Sequence, residues 1–215
     1  MSYDENDAMR DAEYESLIAD FYGQFGPEIA NEAVDGFQTA RLQSFFVEHP
    51  ALIGPATKQL AQAQGLLAAG FDDAALVFAA SAVELTLKQA LFRPVVFGLV
   101  NSAPAALVIA ELSMGHTAID RFKNLLLDVL SELLGSSLRT YVHAGSTKPL
   151  WEEIKSTQDS RNAIVHKGEA RSAQDATDAV RVAAAVVETL YPAIVRSVGL
   201  HLHGVQVCTT KGCKA

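Results

Sequence analysis

PATKQLAQAQGLLAAGFDDAALVFAASAVELTLKQAL, from Pro55 to Leu91, decides the fold class. It divides at Gly70 into two helical stretches, Pro55–Ala69 and Phe71–Leu91. In the second, Ala75, Val77, Phe78, Ala79, Ala82, Val83 and Leu87 leave apolar groups on most sides. A helix patterned that way belongs at the centre of a bundle. Period-two runs of Val, Ile and Thr are scarce along the chain, and only 7% of residues are aromatic. The expectation is an all-α fold, a single bundle of about six helices preceded by an acidic helical arm.

Outward from that hairpin, the same spacing continues. Residues 27–48 carry Ile29, Ala33, Phe37, Ala40 and Phe45 at helical intervals, with Pro27 suited to a first turn and His49-Pro50 as a stop. Residues 94–113 form an apolar, proline-broken insertion with helix at 104–113, read as core cover or subunit contact. His116–Leu134 repeats apolar groups at Ile119, Phe122, Leu126, Val129 and Leu133 and closes at Gly135. Residues 136–148 read as loop, with His143 facing solvent. Ser172 with Asp175 resembles a capping box opening a last helix, which Pro192 should kink or end. The tail, 199–215, reads as extended or frayed.

The net charge of −8 is concentrated at one end. Ten acidic side chains against Arg10 give residues 1–35 a charge of −9, so the remaining 180 residues carry +1. No stripe of Lys and Arg advertises nucleic-acid binding, although an active site needs only local positive charge. The acidic arm could itself mimic nucleic acid and cover a basic partner or this protein's own site. The first residues lack the basic and apolar regions of a signal peptide. The longest uncharged run, Pro94–Ala110, has 17 residues, short of the ~20 that a membrane helix needs. Together these features predict a soluble cytoplasmic protein with no membrane partner.

Chemistry concentrates in LWEEIKSTQDSRNAIVHKGE, Leu150 to Glu169, read as one amphipathic helix stopping at Gly168. Arg161, Asn162 and His166 lie within six residues of it. Arginine holds a phosphate with a rigid fork of donors, and histidine moves protons near neutral pH. Two readings fit. One is catalytic. In the other, Arg161 caps carbonyls or pairs with Asp159 or Glu152, and His166 sits where the helix dipole favours it. Spacing alone does not decide, because Arg196 to His201 matches it too. On an ideal helix, residues five apart also point ~140° away from each other. Glu84 and Lys88, at i and i+4, are either a surface ion pair or a second shell in which Glu84 orients Arg161.

Arg161-Asn162-Ala-Ile-Val-His166, placed between the last two core helices, resembles the signature of HEPN domains, a helical nucleotide-binding and ribonuclease family. The alanine-rich helix with Glu84 embedded in Ala79–Leu85 is similar in character to that family's core hairpin. The resemblance covers residues 55–198 and implies three segments. An acidic arm (1–50) precedes a HEPN-like domain (51–198, with an insertion at 94–135), and a tail (199–215) follows. It further implies a metal-independent, cofactor-free endoribonuclease acting as a homodimer on RNA and leaving 2′,3′-cyclic phosphate ends. His166 would then move the proton, Arg161 hold the scissile phosphate and Asn162 fix the geometry. Family members commonly serve as toxins or antiviral effectors, with an antitoxin or other partner protein. Others only bind a partner protein or nucleotide, which is the alternative function here.

His201, His203, Cys208 and Cys213 place four nitrogen and sulfur donors in 13 residues. Their spacing fits no common zinc finger. A disordered tail without metal is the expectation.

Overall fold

Alanine determines how closely the central helices approach. In the computed structural model, which describes residues 16, 36–100, 102–115 and 123–209, the chain divides into two units, Met1–Ala40 and Arg41–Ala215. Most of the acidic arm, the start of the helix expected from His116, and Cys213 lie outside the described residues. Residues 36–40 of the first unit are helical.

The second unit is all-α apart from one β-hairpin among its described residues. Helix α1 (residues 41–48) ends at His49 as expected and buries Leu42, Phe45 and Phe46. Helices α2 (Gly54–Ala68) and α3 (Asp72–Leu85) form the hairpin at Gly70. α3 packs against α2, α7 (Leu150–Asn162) and α8 (Ala173–Ala184). Ala75, Ala79 and Ala82 on α3, and Ala176 and Ala183 on α8, are fully buried. Small side chains on both partners allow the two helices to approach closely.

Pro94, expected to break the chain's helical run, does not, and Pro192, expected to kink or end the last helix, does not end it. α3 continues through a π turn (Thr86–Phe92) into α4 (Arg93–Leu99), and α8 through a π turn (Ala185–Leu190) into α9 (Tyr191–Ser197). Pro94 and Pro192 each sit at the start of the segment that follows a π turn. A proline ring presses on the carbonyl four residues back and lacks the amide that would bond it. Widening the preceding turn relieves the pressure. The amides of Arg93 and Tyr191 accordingly reach five residues back, to Lys88 and Val186. The resulting helix, Asp72–Leu99, is long and apolar enough to cross a membrane, yet 61% of its most apolar window is buried inside the fold.

The remaining elements follow their sequence signals. Helix α5 (Ala103–Gly115) buries Ala106 and Ala110 and exposes Leu107, Val108 and Ile109. Helix α6 is Lys123–Leu134. Tyr191, fully buried, meets the Phe46 ring edge-on at 6.1 Å and so joins α9 to α1. The tail is not frayed through residue 208. Strands β1 (His201–His203) and β2 (Gln206–Cys208) pair antiparallel.

The capping box at α8 is formed in both directions. Ser172 Oγ accepts from the Asp175 amide at 3.2 Å, and the Asp175 carboxylate accepts from the Ser172 amide at 3.0 Å. The Ser172 hydroxyl, and after it the Ser172 amide, hold the Asp175 carboxyl below its ordinary value of 3.8. A lowered carboxyl stabilises the fold at pH above its unfolded value and loses that contribution as pH falls through the folded one. Ser172→Ala should therefore cost about 1 kcal/mol near neutral pH. In urea unfolding, the gap from wild type should narrow as the pH drops below 3.8.

Candidate functional site

Helix α7 starts after Pro149, with Glu152 and Glu153 in its first turn where the helix dipole favours carboxylates. Leu150, Trp151, Ile154 and Thr157 are buried, so one face is fixed against the core. After Asn162 the helix widens into a π turn, Ala163–Lys167. It stops at Gly168, whose φ of 67° and ψ of 22° are left-handed. The amides of Gly168 and Glu169 turn back onto the carbonyls of Ile164 and Ala163, at 3.1 and 3.2 Å. Gly168 would meet nothing within 4 Å if given a Cβ, so backbone conformation alone selects glycine there.

This widened end carries the three motif residues. Arg161 is half-buried, and Asn162 and His166 are exposed. Arg161 Nη1 donates to Asn162 Oδ1 at 3.0 Å. Among the described residues, neither Arg161 nor His166 is paired with an acid, and the pairings considered for Arg161 with Asp159 and Glu152 are not formed. Glu84 is engaged elsewhere. Its carboxylate meets Lys88 Nζ at 2.6 Å along the same helix, which is the surface ion pair and not an orienting contact to Arg161. A π turn closes its bonds five residues apart, so it reduces the ~140° that an unbroken α-helix would place between Arg161 and His166.

A second polar constellation was not legible in the sequence. His143 does not face solvent; it is 5% exposed, and its Nε2 lies 2.7 Å from Glu153 Oε2. An ionised carboxylate can only accept, so the ring nitrogen donates. Arg181 on α8 reaches Glu153 Oε1 at 3.4 Å and Asp178 at 2.9 Å. The loop folds inward because Glu153, on the buried side of α7, needs a donor once removed from water. That placement between Leu150 and Ile154 was the available signal: a carboxylate on an apolar face calls for a partner.

Beside this triad lies an open cavity of about 420 Å³, between the 145–148 loop, α7 and α8. Its charged lining is Glu152, Glu153, Asp175 and Asp178 against Lys148 and Arg181. Four carboxylates to two cations disfavour a phosphate there. Arg161, Asn162 and His166 do not line it, although Ser160 does. Away from α7, the only metal-ligand grouping among the described residues is His201, His203 and Cys208 on the hairpin. No family model, curated protein or solved structure matches this chain.

The triad is structural by its burial. Glu153→Ala would strand a buried histidine and should destabilise the protein by about 3 kcal/mol. A loss below about 1 kcal/mol in urea unfolding would show that water replaces the carboxylate at little cost.

Proposed function

We propose that this protein is a HEPN-like, metal-independent endoribonuclease whose catalytic residues are Arg161, Asn162 and His166. The observation that carries the reading is an arginine and a histidine at one helix end, solvent-reachable and without an acid partner among the described residues. A structural arginine would spend its charge on a carboxylate; this one retains it for an incoming phosphate.

The chemistry follows from the groups. His166 takes the proton of a ribose 2′-hydroxyl, and the freed oxygen attacks the adjacent phosphorus. The phosphorus–5′-oxygen bond breaks, the leaving oxygen gains a proton, and a 2′,3′-cyclic phosphate remains. Arg161 offsets the charge that builds on the phosphoryl oxygens, and Asn162 holds the guanidinium in place through the bond they share. The motif lies outside the acidic cavity, so a second copy of the chain is proposed to supply the facing wall. The exposed Leu107, Val108 and Ile109 of α5 are a candidate dimer contact. A cytoplasmic role as a toxin or antiviral effector, held by an antitoxin, rests on the resemblance alone.

The test is cleavage of a mixed RNA pool in EDTA, with the oligomeric state measured by sedimentation. Wild type should leave cyclic phosphate ends. His166→Ala should lower the rate by about 10²–10⁴, and Arg161→Lys by about 10²–10³. Intact RNA in the presence of folded, dimeric wild type would overturn catalysis and leave a module that binds a partner protein or nucleotide.

A further inference from the structure

The C-terminal hairpin has two unlike faces. Leu202 and Val207 are opposite each other in the register and pack against the core. His201 and Cys208 are likewise directly opposite, and His203 lies two residues from His201. Successive side chains alternate across a strand, so His201, His203 and Cys208 share the face turned away from the core. The hydrophobic burial of one face thus gathers three ligand-type side chains on the other.

Their geometry is close to what a metal needs. His201 Nε2 and His203 Nε2 are 3.1 Å apart, with the rings inclined at 70°. Zinc–nitrogen bonds of about 2.0–2.1 Å at tetrahedral angles would put two such nitrogens about 3.3–3.4 Å apart. One donor atom from each of the three residues lies within 4.8 Å of the others. A tetrahedral nitrogen–sulfur edge is about 3.6 Å, so the thiol must move by only about 1 Å, within reach of a side-chain rotation. All three residues are half-buried, which reduces the competition from water.

The support is rigid as well. Gly199 and Leu200 donate back to Arg196 and Val195 at 2.9 and 3.1 Å, ending α9 and aiming β1. Gly204, with a φ of 57°, opens a two-residue turn of the kind that suits strand twist. The Val207 amide donates to the Pro50 carbonyl at 2.8 Å, fastening β2 to the loop after α1. Gln43 on α1 donates to the Val198 carbonyl just before the hairpin.

We propose that His201, His203 and Cys208 form a zinc site. Two imidazoles and a thiolate suit a borderline-soft, tetrahedral cation and disfavour magnesium or calcium, which take oxygen ligands. Each imidazole ligates through Nε2, and the Cys208 thiol gives up its proton on binding. Three protein ligands leave one tetrahedral position for a further donor. The metal staples the hairpin and takes no part in chemistry at Arg161 and His166, so the proposal stands or falls apart from the ribonuclease reading.

Full-length protein stripped with EDTA and dialysed would be titrated with zinc, and with cobalt(II) as a spectroscopic probe. The expected result is one metal per chain, a thiolate-to-cobalt charge-transfer band and a melting temperature that rises with free zinc. His203→Ala and Cys208→Ser should each weaken binding by about 100-fold or more, and Cys208→Ser should abolish the charge-transfer band. His49→Ala, an exposed histidine outside the cluster, should bind as wild type does. Circular dichroism would verify that each variant is folded. Failure of folded wild type to bind zinc, or unchanged binding in both ligand variants, would overturn the proposal.

Discussion

The close contact of α3 with α8 is the constraint on which most else depends. Both helices present alanine to the interior, at Ala75, Ala79 and Ala82 on one and Ala176 and Ala183 on the other. Alanine at these positions leaves little side chain to repack around a shift, so the two backbones constrain each other's position. α7 packs against both. The register of α8 therefore determines where Arg181 meets Glu153, and Glu153 in turn brings His143 inward. The polar end of the molecule is located by an apolar contact well inside it.

What sequence made legible follows from what is local. The capping box at Ser172 and Asp175, the stop at Gly168 and the end of α1 at His49 each depend on a few neighbouring residues, and each was readable. Continuation through Pro94, and the widened turns before both prolines, were not. A proline records only that one bond is missing; whether the turn before it can widen depends on packing around Thr86–Phe92 and Ala185–Leu190, where most side chains are buried. His143 was misread for a similar reason. Its partner stands ten residues away on a helix, and loop composition says nothing of that distance.

The tail shows the limit from the other side. Its histidines and cysteine were visible, but their spacing matches no common finger, because the cluster is assembled across strands and not along them. Strand pairing brings His201 opposite Cys208, seven positions later. Nothing in HLHGVQVC is strongly patterned until Leu202 and Val207 are known to face the core. At the end of α7 the order is reversed: Arg161, Asn162 and His166 stand together in the sequence, while the π turn that alters their mutual angle was not legible there.

That π turn leaves slack in the chain between Arg161 and Gly168. A π turn holds one residue more than the α-helix it interrupts, over nearly the same rise. Loss of any single residue from Ala163–Lys167 would let the segment relax to ordinary α geometry with its ends almost unmoved. Side chains after the deletion would keep nearly their former direction, because the π turn had absorbed the extra residue within one wider turn. The segment behaves as a slack turn, which gives up one residue without changing direction or reach.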